Sequence, residues 1–368
     1  MATRNLAAEI AVVGGGINGL CSALALAENG HRVSVFERGA LMGETSCRSS
    51  KLLHGGLRYL ETGEFRLVRE ALLERESWLR DCPQHARAMR IALPVYRGVS
   101  RPPWLIGTGI LLYRLLAGVH EIGKSQWVGA AGFARENPQL KPAGLRGGFY
   151  FYDGQMDDHA LGLWVAQRAL EAGVSIREGC EVRGVDTQGM LDVDGEPQHF
   201  DFIVNATGPW AELLLQRSAI EPGYGIDWVR GSHILFNEPL NQACLLQVPG
   251  EKRIFFVLPY QGRTLIGTTE VRQKSDDPIA IDDAEIDYLL LAYNHYHRSQ
   301  RQRSDIVQTF SGVRPLLRFA GDPGRATREY VVHRQQRLLT VYGGKWTTAR
   351  ALGRRVAKLV RESALPRR

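Results

Sequence analysis

Long hydrophobic runs and paired cysteines are both missing from this sequence. No stretch reaches the roughly eighteen apolar residues that a membrane-spanning helix needs, so none is predicted. The first apolar segment begins near Glu9, which leaves no room for the hydrophobic region of a secretory signal. The five cysteines are scattered and form no CxxC pair, which argues against a zinc ribbon or a disulfide scaffold. We therefore expect a cytoplasmic protein in a reducing compartment, with no metal.

The composition is ordinary except in glycine and in charge. Hydrophobic residues make up 44% and charged residues 23% of the 368 residues, as in soluble globular proteins. The 40 glycines exceed the usual share of about 7% and indicate many tight turns or ligand-facing loops. The net charge of +7 favours an anionic partner: a phosphorylated metabolite, a nucleotide cofactor, nucleic acid or an acidic membrane surface. A chain of this length is expected to form two domains.

The clearest motif lies near the start of the chain. An apolar strand (10–13) leads into GGGING (14–19), an Ala- and Leu-rich helix and a second strand that ends at Glu37. This is the dinucleotide-binding fingerprint. Gly14 would make the tight turn, Gly16 would admit a pyrophosphate, Gly19 would let the helix pack on the strand, and Glu37 would bond a ribose. The alternative is a glycine-rich turn in another βαβ unit.

Two further strand-to-glycine turns follow far along the chain, VNATGPW (204–210) and VYGGKWTT (341–348). Their wide separation predicts one cofactor domain assembled from distant segments. The predicted fold class is α/β, with a Rossmann-like cofactor domain and a second domain whose sheet is mostly antiparallel. The alternating patterns of RGSHILF, RIFFVLPY and TLIGTTE favour that sheet. The predicted segments are 1–80, 150–215 and 326–368 for the cofactor domain, and 81–149 and 216–325 for the second domain.

The stretch SSKLLHGGLRYLE (49–61) places a lysine, a histidine and an arginine around two glycines. A hydrophobic core does not need that combination, whereas a loop that meets an anionic ligand does. With VNATGPWA, RGSHILF, IGTTEV, FSGVRPL and YGGKWTTAR, in the same order, it resembles the FAD-dependent respiratory sn-glycerol-3-phosphate dehydrogenases, within the D-amino-acid-oxidase-like flavoenzymes. The resemblance extends from about residue 8 to about residue 360. HGGLRYLE and GGKWTT are its specific elements, because the other motifs occur in many flavoenzymes.

The resemblance implies an enzyme with non-covalently bound FAD and no nucleic-acid partner beyond this dinucleotide. It would oxidise sn-glycerol 3-phosphate to dihydroxyacetone phosphate by hydride transfer to the flavin and pass the electrons to a quinone. One alternative is a related FAD dehydrogenase or oxidase of a 2-hydroxy acid, such as 2-hydroxyglutarate, or of an amino acid. The other is a non-catalytic flavin-binding homologue. Family members continue into a further helical domain after the GGKWTT helix, and the sequence ends at Arg368, before such a domain.

The same resemblance implies which residues bind FAD. The helix that GGKWTT opens would aim its amides at the flavin's pyrimidine edge, where hydride arrival places negative charge. The alternative is an ordinary helix start with a solvated Lys345. The predicted FAD-binding residues are Gly14, Gly16, Gly19, Glu37, Arg38, Thr45, Ser46, Ser50, Lys51, Leu52, His54, Gly55, Val182, Thr207, Gly208, Trp210, Gly344, Lys345 and Thr347.

Substrate contacts are implied by the same motifs. Arg58, Tyr59 and Arg328 would bind the phosphate, because the planar guanidinium donates two parallel hydrogen bonds. Thr269 would hydrogen-bond the substrate. The alternative is that the arginines are solvated surface groups.

The predicted catalytic residues are Arg314, His54, His233 and Lys345. Arg314 would face the reacting hydroxyl at carbon-2. Lys345 would add positive charge near the flavin or join Arg58, Tyr59 and Arg328 in binding the phosphate. Oxidation also removes the hydroxyl proton, and histidine is the usual base for such a step. His54 and His233 lie in the motifs and are both candidates, although either could instead be structural or a flavin contact.

The segment WLIGTGILLYRLL (104–116) is strongly apolar but too short to span a bilayer. Arg101 precedes it and Arg114 lies within it. It is interpreted either as an interfacial helix on an anionic membrane surface, which would make the protein peripheral on the inner face, or as a buried core helix.

Overall fold

The computed structural model describes residues 7–318 and 329–364. In these two ranges the chain forms eight α-helices and nineteen β-strands. The helices are α1 (Ile17–Glu28), α2 (Phe65–Asp81), α3 (Pro103–Ala117), α4 (Ala130–Glu136), α5 (Asp158–Glu171), α6 (Ala211–Arg217), α7 (Asp283–Tyr296) and α8 (Ala349–Ala364). The strands are β1 (Glu9–Val13), β2 (Arg32–Glu37), β3 (Leu52–Leu53), β4 (Ala86–Tyr96), β5 (Gln126–Gly129), β6 (Leu145–Met156), β7 (Ser175–Glu178), β8 (Val182–Val185), β9 (Met190–Val193), β10 (Glu196–His199), β11 (Phe202–Asn205), β12 (Ile226–Phe236), β13 (Ala243–Gln247), β14 (Ile254–Tyr260), β15 (Arg263–Gly267), β16 (Val271–Gln273), β17 (Ile306–Leu317), β18 (Tyr330–Gln335) and β19 (Leu338–Gly343).

The chain divides into two compact units, each built from separated segments. Unit 1 comprises Met1–Ser49, Asp157–Val229 and Val313–Arg368, and unit 2 comprises Ser50–Met156 and Arg230–Gly312, as far as these ranges are described. The predicted α/β fold class is confirmed, because unit 1 contains a parallel sheet with helices and unit 2 contains a largely antiparallel sheet.

Unit 1 is built on a six-stranded sheet in the order β18-β19-β11-β1-β2-β7. Its strand pairs are parallel except β18–β19. In the central strand Val12 lies between Val35 and Val204, and all three side chains are fully buried. Continuous apolar strands of this kind are typical of parallel sheets covered on both faces. A separate antiparallel sheet of β8, β9 and β10 belongs to the same unit.

Helices α1 and α8 cross closely in unit 1. A Cβ atom on Gly353 would lie 2.3 Å from the Cys21 carbonyl oxygen, so this crossing requires glycine. Leu352, Val356 and Val360 are fully buried one turn apart along α8, which is the helical spacing that the sequence shows. The helix begins at Ala349, directly after GGKWTT (343–348), so that segment is mostly turn.

Unit 2 is built on the large sheet β16-β12-β15-β14-β13-β4-β6-β3, with β17 beside β12 and β5 beside β6. The pairs β12–β15, β14–β15, β13–β14, β4–β6, β3–β6 and β5–β6 are antiparallel, and β13–β4 is parallel. The mostly antiparallel sheet of the second domain is thus present as predicted. Aromatic residues such as Tyr150, Phe236, Phe255 and Tyr296 fill its core.

The boundaries of the units differ from the predicted segments. Residues 50–80 and 150–156 were expected in the cofactor domain but belong to unit 2. Strand β3 pairs there with β6, and α2 places Val68 and Leu72 in the same core as Tyr113. The HGGLRY stretch therefore belongs to the unit with the large sheet.

Two segments of the predicted second domain lie in unit 1 instead. Residues 216–229 and 313–318 were expected in the second domain but belong to unit 1, where Val229 packs on Leu316. The boundaries after Val229 and before Val313 fall inside the long strands β12 and β17.

Candidate active site

The glycine fingerprint forms the turn between β1 and α1. Gly14 has a φ of +106°, a conformation that residues with side chains rarely adopt. A Cβ atom on Gly19 would lie 1.9 Å from the Gly14 carbonyl oxygen, so only glycine lets the helix start this close to the strand. Gly16 is the N-cap of α1 and has no side chain to cap it, and residues 17–20 include no acid. The positive end of α1 can therefore receive a phosphate group.

Glu37 ends β2 beside this turn. One oxygen of its carboxylate accepts a hydrogen bond from the Gly15 amide at 2.7 Å, and the other accepts from the Gly39 amide at 2.8 Å. These bonds fix the carboxylate at the carboxyl end of the sheet, and each oxygen retains lone-pair capacity for a ribose hydroxyl. The structure thus brings Glu37 and the glycine turn together.

Two side chains that the motifs did not identify connect distant segments to this turn. Asn18 Nδ2 donates to the Gly343 carbonyl oxygen at 3.4 Å, and Trp346 Nε1 donates to the Ser46 carbonyl oxygen at 3.0 Å. Ser46 Oγ accepts in turn from the Ile17 amide at 3.0 Å. The GGKWTT turn, the 45–47 segment and the start of α1 are therefore neighbours within unit 1.

Asn18 also carries a sign that a ligand belongs here. Its buried Oδ1 has no hydrogen-bond partner among the residues that the structure describes. Buried acceptors rarely remain in that state, and a ribose or ribityl hydroxyl is a suitable donor. The open helix end, the Glu37 carboxylate and this acceptor together fit a dinucleotide. Of the other predicted cofactor residues of unit 1, Thr45, Gly344, Lys345 and Thr347 lie in these segments. Val182 begins β8, and Gly208 lies in the turn after β11.

Arg38, directly after Glu37, stacks on an indole ring of unit 1. The Arg38 guanidinium carbon lies 4.3 Å from the centre of the Trp210 ring, and Trp210 packs edge-on against Trp228 at 5.5 Å. The Thr207 hydroxyl donates to Asn205 Oδ1 at 2.7 Å, which fixes the ATG turn at the end of β11. A stacked guanidinium and indole form a platform suited to an aromatic base.

The segment KLLHGG (51–56), called the HGG stretch below, lies in unit 2 and begins with a lysine in an unusual backbone conformation. Lys51 has a φ of +61° and is buried. Its Nζ lies 5.0 Å from the centre of the Phe310 ring and 5.5 Å from that of Tyr260, which is within cation–π range. Leu52 follows in β3, opposite Gln155 of β6. The stretch is thus anchored to the large sheet.

A buried network holds the Gly55 amide. That N–H donates to the Tyr113 hydroxyl oxygen at 2.8 Å, and the hydroxyl donates to Asp153 Oδ1 at 2.7 Å. Arg75 Nη1 donates to the same oxygen at 2.7 Å. Burial raises the pKa of Tyr113 well above its ordinary value, and the neighbouring Asp153 raises it further. Burial also raises the pKa of Asp153, while the Arg75 charge opposes that rise.

His233 is held tightly inside unit 2. Its side chain stacks on Phe310 with 4.6 Å between ring centres, and its Nε2 lies 2.9 Å from Ser50 Oγ. A Cβ atom on Gly267 would lie 2.1 Å from the imidazole, so glycine makes room for the ring. Only 2% of His233 is exposed, whereas His54 is half-buried.

Thr269 is engaged within the protein. Its hydroxyl oxygen accepts from the Ser232 amide at 2.8 Å and donates to Glu285 Oε1 at 2.5 Å. Glu285 also accepts from Ser232 Oγ at 2.8 Å and from Arg230 Nε at 3.0 Å. The hydroxyl proton is therefore used inside this cluster, and a substrate contact of Thr269 stays a prediction.

Arg58 and Tyr59 lie in a short 3-10 turn, Leu57–Thr62, directly after Gly56. A Cβ atom on Gly56 would lie 2.1 Å from the Tyr59 ring, so the ring folds back over the glycine. The Arg58 guanidinium carbon lies 5.7 Å from the centre of that ring. Arg314 lies in the part of β17 that belongs to unit 1. Arg328 lies outside the described residues.

A cavity of about 220 Å³ opens beside Arg58 within unit 2. Its walls come from the 57–61 turn, β4, α3, β13 and β14, and they are mainly leucine and isoleucine. The polar groups at its lining include Arg58, Arg101 and Gln247.

A family model described as FAD dependent oxidoreductase matches residues 9–359. The chain belongs to this family of FAD-dependent oxidoreductases. It is accordingly an oxidoreductase with FAD as its cofactor, which confirms the cofactor and the enzyme class predicted from the sequence.

Within the family, the chain is similar to dehydrogenases that are named for phosphorylated polyols. The aerobic glycerol-3-phosphate dehydrogenase of Escherichia coli (strain K12) is 39% identical over 366 residues, which cover 94% of this chain and 71% of that protein. The D-erythritol 1-phosphate dehydrogenase of Brucella abortus (strain 2308) is 37% identical over 372 residues, covering 94% and 72%. These similarities confirm the family resemblance that the motifs carry.

Solved structures agree on the fold. The glycerol-3-phosphate dehydrogenase from Bacillus halodurans, complexed with FAD, superposes with a TM-score of 0.77 at 23% identity, covering 97% of this chain and 65% of that chain. The glycine oxidase from Geobacillus kaustophilus superposes with a TM-score of 0.72 at 22% identity, covering 97% and 95%. At these identities the likeness concerns the fold alone. This chain thus spans about two thirds of the B. halodurans protein.

Proposed function

We propose that this oxidoreductase converts sn-glycerol 3-phosphate to dihydroxyacetone phosphate. The observation that carries the proposal is the 39% identity to a glycerol-3-phosphate dehydrogenase over 94% of the chain. The basic HGGLRY turn supports it, because a phosphate dianion needs several directed donors.

FAD would be held mainly by the residues that open and flank α1. The pyrophosphate would meet the amides at the start of α1, Glu37 would bond a ribose, and Arg38 with Trp210 would flank the adenine. When bound, the flavin supplies the hydride acceptor. Gly55, Lys51 and the GGKWTT turn are the proposed contacts of its ring system.

The substrate would be bound through its phosphate and oriented through its carbon-2 hydroxyl. Arg58, Tyr59 and Arg328 are the proposed phosphate donors, and Arg314 is the proposed contact of the hydroxyl. A guanidinium there stabilises the negative charge that develops on the oxygen.

We propose His54 as the base that takes the hydroxyl proton. His233 is less suited, because it is almost fully buried and its Nε2 engages Ser50 Oγ. His233 would then position Ser50 and the start of the HGG stretch. Histidine suits this role because the ordinary pKa of an imidazole, about 6.5, lies close to physiological pH.

Anaerobic mixing of the FAD-loaded protein with candidate substrates tests the activity. We expect the flavin absorbance to bleach after mixing with sn-glycerol 3-phosphate. It should stay unchanged after mixing with 2-hydroxyglutarate or with amino acids. Dithionite serves as the control that the flavin can be reduced. Bleaching by dithionite and by no other compound would favour a non-catalytic flavoprotein and overturn the proposal.

D-erythritol 1-phosphate is the second candidate substrate. The 37% identity to an enzyme named for it is nearly as high as that to the glycerol-3-phosphate dehydrogenases. Both compounds carry a phosphate and a secondary hydroxyl, so the same anchors would serve either. The ratio of their kcat/KM values decides between them.

We propose that a quinone takes the electrons from the reduced flavin and that its ring enters the cavity beside Arg58. The cavity's size and apolar walls suit a single substituted ring better than a polar acceptor. A Cβ atom on Gly109, which lines the cavity, would have Leu57 Cδ1 as its neighbour at 3.9 Å, so Gly109→Leu is chosen to add side-chain volume to the cavity from α3. We expect this variant to raise the KM for a short-chain quinone about tenfold, while a water-soluble acceptor and flavin bleaching by substrate stay unchanged. An unchanged quinone KM would exclude the cavity.

We also propose that α3 lies on an anionic membrane surface. Its outward face carries Trp104, Leu111 and Leu115, which are 71%, 54% and 67% exposed. This exposure supports the interfacial interpretation over a buried core helix, for which these side chains would be covered. None of the described helices is long and apolar enough to cross a membrane.

A further inference from the structure

Three elements of unit 2 converge on one backbone amide of the HGG stretch. Arg75 comes from α2, Tyr113 from α3 and Asp153 from β6, and the Gly55 N–H lies where they meet. Arg75 Nη1 also donates to the Tyr152 carbonyl oxygen at 3.1 Å, which fixes the guanidinium on β6.

The hydrogen bonds of this cluster have a defined direction. Since burial keeps the Tyr113 hydroxyl protonated, its only proton points to Asp153 Oδ1, 2.7 Å away. A lone pair of the hydroxyl oxygen is then left for the Gly55 N–H at 2.8 Å. The direct distance from Gly55 N to Asp153 is longer, at 3.4 Å, so the tyrosine is the principal acceptor.

The space around Gly55 is closed as well. A Cβ atom there would lie 2.6 Å from the Tyr113 hydroxyl and 2.6 Å from Leu72 Cδ2. The loop backbone is thus pressed against α2 and α3 and held by the network at one point. An ion pair this deeply buried contributes little net stability, because desolvation offsets the attraction. A geometric role explains better why such a cluster surrounds a single amide.

We propose that Tyr113, oriented by Asp153 and Arg75, is a positioning residue that sets the backbone of His54 and Gly55 for the reaction. This inference rests on the proposed function, in which Gly55 contacts the flavin and His54 takes the substrate proton. Tyr113 would act through the loop, because its hydroxyl oxygen accepts the Gly55 N–H.

The test compares Tyr113→Phe with Tyr96→Phe in the FAD-loaded protein. Both changes remove one buried hydroxyl, but Tyr96 bonds the Lys141 carbonyl at 2.7 Å, in another core of unit 2. We expect both variants to bind FAD and to lose similar stability. Tyr113→Phe alone should slow flavin reduction by substrate about 3- to 10-fold, shift the flavin midpoint potential and absorption bands, and speed hydrogen exchange over residues 52–57.

Two results would overturn the proposal. One is a Tyr113→Phe protein whose potential, exchange and reduction rate match those of Tyr96→Phe. The other is fast exchange of the Gly55 amide in the wild-type protein, which needs no variant. If sn-glycerol 3-phosphate fails to reduce the wild-type flavin but the potential and the exchange still respond to Tyr113→Phe, the proposed substrate is wrong and the positioning role stands.

Discussion

Gly16 shows how a single missing side chain makes room for a cofactor. A Cβ atom there would lie 3.0 Å from Ser46 Oγ, and the γ-methyls of valine would extend into the space over the start of α1. Gly16→Val should therefore yield a folded protein without FAD, measured as the flavin released on denaturation. Gly30→Asn is the matched control, because Gly30 has a positive φ but nothing within 4 Å. A Gly16→Val protein that retains FAD would place the pyrophosphate elsewhere.

Replacing the two proposed substrate-binding arginines, Arg58 and Arg314, should change different kinetic constants. A charge-assisted hydrogen bond is worth about 1.5–3 kcal/mol, so each loss should cost roughly 10- to 100-fold in kcat/KM. Arg58→Ala should mainly raise KM, because a remote anchor binds substrate and transition state alike. Arg314→Ala should mainly lower kcat, because its contact strengthens as charge develops. Lysine should not restore either site, since a point charge lacks the planar fork.

Steady-state kinetics with a soluble acceptor measures both arginine variants. Arg303→Ala is the control, since that exposed guanidinium pairs with the surface carboxylates Asp283 and Asp287 at the start of α7. Equal losses in all three variants would argue for a general electrostatic effect instead of specific contacts.

His297 gives unit 2 a predictable pH dependence. The ring is 1% exposed, stacks on Tyr293 at 3.8 Å, and burial lowers its pKa to about 4. The unfolded chain, with a pKa near 6.5, takes up the proton first as the pH falls. Its contribution is therefore complete above pH 6.5 and is lost towards pH 4, by up to about 3 kcal/mol. Denaturant midpoints between these pH values should fall less steeply in His297→Phe than in the wild type, and parallel curves would contradict this.

Helix α3 can be tested as a membrane-binding element. Trp104→Glu with Leu111→Glu should release the protein from vesicles containing anionic lipid, because both side chains are exposed and would enter the interface. Wild-type binding should weaken at high salt. The double variant should keep its FAD and its circular dichroism spectrum. Leu291→Glu on α7 is the control, because that leucine is as exposed as Trp104, and it should bind as the wild type does. Undiminished binding of the double variant would rule out this face.

The elements most accurately predicted from the sequence are those fixed by local rules. The β1–α1–β2 segment follows from the glycine turn and two apolar strands, all within about thirty residues. The existence of α3 follows from its composition, but whether it is exposed depends on neighbours distant in the chain. The unit boundaries are a clearer case. Residues 50–80 belong to unit 2 because β3 pairs with β6, about a hundred residues further along the chain.

The residues of the candidate site also differ in whether the sequence alone identifies them. The glycines can be recognised in the sequence because the turn requires them at fixed spacing. Glu37 can be recognised because a ribose contact requires an acid at the end of the second strand. Trp346 does not, since its role is a bond to Ser46 across 300 residues. Asp153 and Tyr113 lie in apolar segments, and a lone aspartate within the strand FYFYDGQM was the one available signal. Side chains that act through tertiary hydrogen bonds cannot be located without the fold.

FAD should stabilise the chain unevenly, because most of its proposed contacts lie in unit 1. A ligand that binds only the folded state adds about 2.7 kcal/mol when its free concentration is 100 times Kd. Hydrogen exchange with and without FAD should therefore show the largest protection at residues 13–20 and 343–348, which form the glycine turn and the GGKWTT turn. Strand β14 and helix α7 have their own core in unit 2 and should change little. In Gly16→Val, added FAD should protect neither region. Equal protection throughout the wild-type chain would instead mean that the cofactor governs the folding of both units together.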